Sequence, residues 1–121
     1  MAQLIRISTH SDSRGELAVL GDLLPFSVRR VFFIHNVPQD VVRGGHRHRK
    51  NRQALLCANG SCEIVTGTNG DRRVFTLSRR DECLLLDPDD YHEMRNFSPD
   101  SVLMVLASEP YDPDDYLYGN P

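Results

Sequence analysis

The sequence predicts an all-β single domain, a barrel or jelly roll, on three observations. About eight short runs rich in β-branched and aromatic residues recur along its 121 residues. Gly, Pro, Asn, Asp and Ser punctuate nearly every gap between those runs. No twelve-residue window holds a helical hydrophobic period. Pattern alone leaves sandwich and closed barrel undivided.

In chain order, residues 4–7 open the sheet, interrupted only by Arg6. Asp12, Ser13, Arg14 and Gly15 make a turn by composition. Residues 16–20 then read as a short strand, and 21–25 as an irregular link. A stronger strand follows at 28–34, where valines, phenylalanines and an isoleucine crowd together. Pro38 breaks it. Residues 54–58 and 61–66 flank Asn59-Gly60, and this pair predicts a hairpin with a type I′ turn. A second pair, Asn69-Gly70, joins residue 66 to a strand at 73–77. Residues 82–86 form another strand, 91–97 follow, and 102–107 is the most hydrophobic run. That run is too short for a helix and β-branched enough for a buried strand. No repeat or linker divides the chain, so residues 1–121 form one domain, with an acidic tail from about 109 to 121.

Composition narrows the function classes. Apolar residues are 40% and charged residues 26%, as in ordinary globular proteins. No run reaches the ~18 apolar residues of a membrane span, so a cytoplasmic protein is the default expectation. A net charge of −3 argues against general nucleic-acid binding. Of 14 basic residues all but Lys50 are arginine, the residue that grips phosphate bidentately. The acidic tail reads as a solvated end. Cys57, Cys62 and Cys83 have no paired spacing and sit in apolar runs, so they read as reduced packing residues.

Chemistry concentrates at Arg43-Gly44-Gly45-His46-Arg47-His48. On a strand, His46 and His48 share a face and Arg47 takes the other. Gly44 and Gly45 allow either close approach of a ligand or a β-bulge. Gln53 and Gly60 follow, then His92 and Asn96. Three readings stay open on the residues alone. One is a metal site, weakened because Gln53 stands where a carboxylate would offset the ion's charge. Another is metal-free acid–base chemistry by histidines that titrate near neutrality. The third is a basic rim without chemistry.

The spacing of His46, His48, Gln53, Gly60, His92 and Asn96 resembles the two motifs of the cupins, whose fold is a double-stranded β-helix or jelly-roll barrel. More specific pieces are Asp12 to Leu17, Arg30-Val31, Arg43 to His48, His92-Glu93-Met94, Val105 to Ser108 and the ending from Tyr111 to Tyr116. With these the chain resembles, over about residues 4–117, the nucleoside-diphosphate-sugar 3,4-ketoisomerases. The resemblance implies a keto shift from C4 to C3 of a thymidine-diphosphate 4-keto-6-deoxyhexose. His46 matches the proton-transferring histidine and His48 the histidine beside it. Arg14, Arg30 and Arg43 match arginines near the nucleotide and sugar, with Gln53 and His92 also placed at the substrate. Tyr91 takes the place of a tryptophan before His-Glu-Met. It further implies no metal or organic cofactor, and a homodimer with exchanged N-terminal strands. The family usually carries a tyrosine where this chain has Phe32, which removes a hydroxyl from the expected site. A nucleotide-sugar-binding module without turnover and a metal-dependent cupin enzyme are the alternatives.

Overall fold

A computed structural model describes residues 1–68 and 70–119. Twelve strands account for the regular structure: β1 (Gln3–Arg6), β2 (Ser8–Asp12), β3 (Gly15–Val19), β4 (Arg30–His35), β5 (Arg43–His48), β6 (Gln53–Asn59), β7 (Cys62–Thr68), β8 (Asp71–Leu77), β9 (Glu82–Leu86), β10 (Tyr91–Arg95), β11 (Val102–Ala107) and β12 (Tyr116–Tyr118). Among the described residues the only helical pieces are two 3-10 turns, Gly21–Leu23 and Pro113–Asp115. Among those residues no helix is long and apolar enough to cross a membrane.

The strands form two five-stranded antiparallel sheets and one detached hairpin. The first sheet runs β1-β9-β6-β11-β4 and the second β12-β5-β10-β7-β8, while β2 and β3 pair only with each other. The expected strands at 82–86 and 102–107 match β9 and β11. The hairpin expected across Asn69-Gly70 is present, with Thr68 opposite Asp71 and Gly70 at φ +80°. Asn69 itself lies outside the described residues.

The other expected hairpin does not form. Strands β6 and β7 leave the Asn59-Gly60 corner for opposite sheets. A type I′ turn needs positive φ at both central residues. Here Gly60 has φ +67°, and Asn59 is not among the residues with positive φ. Tertiary bonds hold the corner instead. The Asn59 side-chain amide donates to the Asp100 carbonyl at 2.8 Å, and the Ser61 amide donates to Ser98 Oγ at 2.9 Å. The corner turns the chain between layers, as a jelly roll requires.

Alternation along the strands divides the space between the sheets into two ends. At one end Ile34, Leu103, Cys57, Cys62, Leu77 and Met94 pack in one buried cluster. The cysteines are free and buried, as expected of packing residues. Burial lifts the Cys83 thiol to about 12, so it stays protonated. At the other end the inward row across the first sheet is Arg30, Ala107 and Gln53, in register. That row faces the histidines of the second sheet. The polar end exists because strand periodicity carries Arg30 and Gln53 onto the same face as Ile34 and Cys57.

Candidate active site

Strand β5 reaches the histidine register through a bulge. His46 lies opposite His92 while Gly44 lies opposite Glu93, which leaves Gly45 as the extra residue. Gly44 has φ +85° and Gly45 φ +79°. A Cβ on Gly44 would sit 2.8 Å from the His92 carbonyl oxygen, so no side chain fits there. The two glycines therefore build the bulge and the close strand approach.

Three imidazoles meet past that bulge. His46 lies 5.0 Å from His48 and 4.9 Å from His92, centroid to centroid, both edge to face. The ligand-type nitrogens of the three all lie within 4.8 Å of one another. His48 is 3% exposed and His92 1%, whereas His46 is half-buried. The Nδ1 of His48 contacts Asp115 Oδ2 at 3.0 Å, and the Nδ1 of His92 contacts the Asp90 carbonyl at 3.1 Å. Both partners are acceptors only, so each Nδ1 carries the proton and each Nε2 presents a lone pair. Neither Nε2 has a hydrogen-bond partner among the described residues.

Burial sets the charge state. Desolvation, then the neighbouring His48, lowers the His46 pKa to about 4, against a hydrogen bond to the Gly44 backbone. His92 falls to about 3, chiefly by desolvation. For His48 desolvation lowers the pKa and the Asp115 hydrogen bond opposes it. The cluster is thus neutral at pH 7, the form that accepts protons.

The C-terminal segment closes this end. Strand β12 pairs with β5 so that Tyr116 faces His48 and Tyr118 faces His46. The Tyr116 ring lies 4.8 Å from His46 and 4.7 Å from His48. Asp115 is buried and accepts the amides of Lys50 at 2.8 Å and Asn51 at 3.3 Å as well as the His48 contact. Asp115 is therefore a built part of this end, while Asp112 and Asp114 stay exposed as a solvated tail would have them. The Arg30 guanidinium lies 5.1 Å from the Phe32 ring and 5.8 Å from Tyr111.

The structure gathers some of the expected residues and separates others. His46, His48, His92, Arg30, Phe32 and Gln53 share the polar end, where Gln53 Oε1 and Arg30 Nε are buried without partners among the described residues. Such orphaned groups are costly unless a ligand or water meets them. Arg43 is exposed at the start of β5, opposite Met94. Tyr91 lies on the other face of β10 from His92, where its hydroxyl donates to Glu93 Oε2 at 2.6 Å. Its expected place beside the substrate is corrected by strand alternation, which sends adjacent residues to opposite sides. Arg14 is not brought to the histidines within one chain. It sits at the tip of the detached hairpin, paired with Asp12 Oδ2 at 2.7 Å and 88% exposed. Asn96 is exposed beyond β10 with φ +53° and stands in the turn, not the pocket.

Sequence reasoning missed Asp115, Tyr116 and Tyr118 as site residues. The signal was the two-residue spacing of the tyrosines, which puts both on one strand face. A separate cleft of about 640 Å³ lies by the β2–β3 hairpin and the Asn59-Gly60 corner and contains none of the histidines.

Comparison with known proteins identifies the family and the fold. The chain matches the family FdtA, described as WxcM-like, C-terminal, over residues 1–120. It is 40% identical over 108 residues to the TDP-4-oxo-6-deoxy-alpha-D-glucose-3,4-oxoisomerase of Aneurinibacillus thermoaerophilus, covering 88% of this chain and 78% of that protein. A mutant of the 3,4-ketoisomerase QdtA from Thermoanaerobacterium thermosaccharolyticum, in complex with TDP-4-keto-6-deoxyglucose, superposes with a TM-score of 0.93. It is 33% identical, over 98% of this chain and 87% of that one. The TDP-quinovose 3,4-ketoisomerase WlaRB from Campylobacter jejuni gives 0.93 at 31% identity, over 98% and 92%. A cupin-type jelly roll with its histidines at one polar end, matched along nearly its whole length, this chain belongs to the FdtA, WxcM-like family of sugar 3,4-ketoisomerases.

Proposed function

We propose that this protein shifts the keto group of a thymidine-diphosphate 4-keto-6-deoxyhexose from C4 to C3, with histidine as the proton carrier and no metal. The observation that carries the reading is His46: a neutral imidazole, only half-buried, packed against the buried His48 and His92. The substrate ketone acidifies the C3 hydrogen. His46 removes it to give an enediol and returns it at C4. His48, fixed by Asp115, and His92 keep their Nε2 lone pairs toward the sugar hydroxyls. Arg30 and Arg43 serve the diphosphate, with Phe32 and Gln53 lining the sugar pocket. The chemistry is isomerisation without redox change, so it needs no external oxidant.

The histidine trio gives a metal reading specific support, but three neutral imidazoles with Gln53 in the carboxylate's place leave a divalent charge uncompensated. One experiment separates the readings. Wild-type protein treated with chelator and given the 4-keto-6-deoxyglucose nucleotide in deuterated water should exchange the C3 hydrogen and form the 3-keto sugar. Binding without exchange in untreated and treated protein alike would favour the binding module. Exchange lost on chelation and restored by a stoichiometric metal would favour the metal enzyme.

The working unit proposed is a homodimer with exchanged N-terminal strands, in the cytoplasm, where three unpaired thiols fit a reducing compartment. Support for the dimer comes from the β2–β3 hairpin, whose ten residues are all exposed, Leu17 at 62% and Val19 at 43%. The outer face of edge strand β4 adds Val31 at 50% and Phe33 at 56%. Apolar edges of this kind call for a covering partner. An exchanged hairpin would also give Arg14 a route to the other subunit's pocket. Sedimentation equilibrium at micromolar concentration should return twice the chain mass, and a monomer there would refute the dimer.

A further inference from the structure

A keto shift between adjacent carbons moves two protons, one bound to carbon and one bound to oxygen. The C3 hydrogen travels to C4, and the O3 hydroxyl proton must in effect reach O4. His46 handles the first in the reading above, on which this inference rests. The second needs a group at the pocket that both gives and takes a proton.

Neither buried histidine meets that need. His48 spends its N–H on Asp115 and His92 spends its own on the Asp90 carbonyl. Each therefore offers only a lone pair inward, and Gln53 Oε1 and the Asp115 carboxylate are likewise acceptors. Phe32, on the facing sheet, has no hydroxyl. Thr66 lies opposite His92 but carries an aliphatic hydroxyl, a far weaker acid than a phenol.

Tyr116 remains. It shares a strand face with His48 through the β12–β5 register, and its ring packs edge-on against both His46 and His48. It is half-buried, whereas Tyr118 is 76% exposed and Tyr111 67%. Among the described residues its hydroxyl has no hydrogen-bond partner, although the Asp115 anchor fixes the strand that carries it. We propose that Tyr116 is a catalytic residue, the oxygen acid–base partner of His46.

The step balances. As His46 takes the C3 hydrogen, Tyr116 donates its phenolic proton to O4, giving the 3,4-enediol, a histidinium and a phenolate. The phenolate then takes the O3 proton while the histidinium protonates C4. The ketone stands at C3, and both side chains return to their starting forms. No electrons leave the substrate and no co-reactant is consumed.

Tyr116→Phe keeps the ring and its packing, so a merely structural role predicts little change. The expected result is a loss of about 100- to 10,000-fold in both C3-hydrogen exchange and 3-keto product, the range of a positioned acid or base. Melting temperature and thymidine diphosphate affinity should stay at wild-type values. Exchange within threefold of wild type by Tyr116→Phe, measured beside an inactive His46→Asn, would overturn the phenol while leaving the isomerase intact. Absence of exchange in wild type itself would instead overturn the isomerase reading and this inference with it.

Discussion

His46→Asn should fold, bind thymidine diphosphate as wild type does, and lose exchange of the sugar C3 hydrogen. Asparagine keeps a polar group of similar reach but has no basic nitrogen. A positioned general base contributes about 100- to 10,000-fold, and the loss should fall at the upper end because the cluster's other imidazoles are buried and bonded at Nδ1. The pH dependence gives an independent check. With a folded pKa of about 4, His46 stays a neutral base well below the usual histidine range. The acid limb of kcat/KM, which reports the free enzyme, should therefore lie near pH 4 and not near 6.5. Stability follows pH in the same direction. Between about 6.5 and 4 the unfolded chain binds protons that folded His46 and His92 do not, so stability is full above 6.5 and declines as pH falls. A melting temperature that rises on acidification through this window, or exchange retained by His46→Asn, would refute the assignment.

Asp115→Ala should cause the largest loss of stability among single changes at the site. The carboxylate accepts from His48 Nδ1 and from the Lys50 and Asn51 amides, and its side chain is only 9% exposed. Each buried donor left unpaired costs about 1–3 kcal/mol. Loss of two or three partners should lower the melting temperature by roughly 5–15 °C, read by thermal denaturation. Asp115→Asn separates the structural part from the chemical part. The amide retains an acceptor oxygen but not the charge that fixes His48 with its proton on Nδ1. It should fold nearly as stably and lose at least about tenfold in turnover. If Asp115→Asn turns over at the wild-type rate, Asp115 only ties down the tail.

The sequence carried the strand content and the histidine pair. Short continuous apolar runs marked β9 and β11 to the residue, and the glycine pair before His46 signalled the bulge as one of two choices. The likeness of Arg43 to His48 and of His92 to Met94 to known ketoisomerase pieces pointed to the family. Local pattern was enough there because a strand's faces follow from its own residues.

Partnership between distant segments was decided elsewhere. Asn59-Gly60 has the composition of a hairpin turn, but bonds from Asp100 and Ser98 hold it as a corner between sheets. Tyr91 adjoins His92 in sequence, and the pleat sends it to the other face beside Glu93. Asp115 lies in a tail whose composition reads as solvent-facing, yet it is buried 67 residues along the chain from the histidine it orients. Composition measures a segment's average preference for water. Which single carboxylate is withdrawn from water depends on the donors another segment supplies, and only the folded chain brings Asp115 to His48, Lys50 and Asn51.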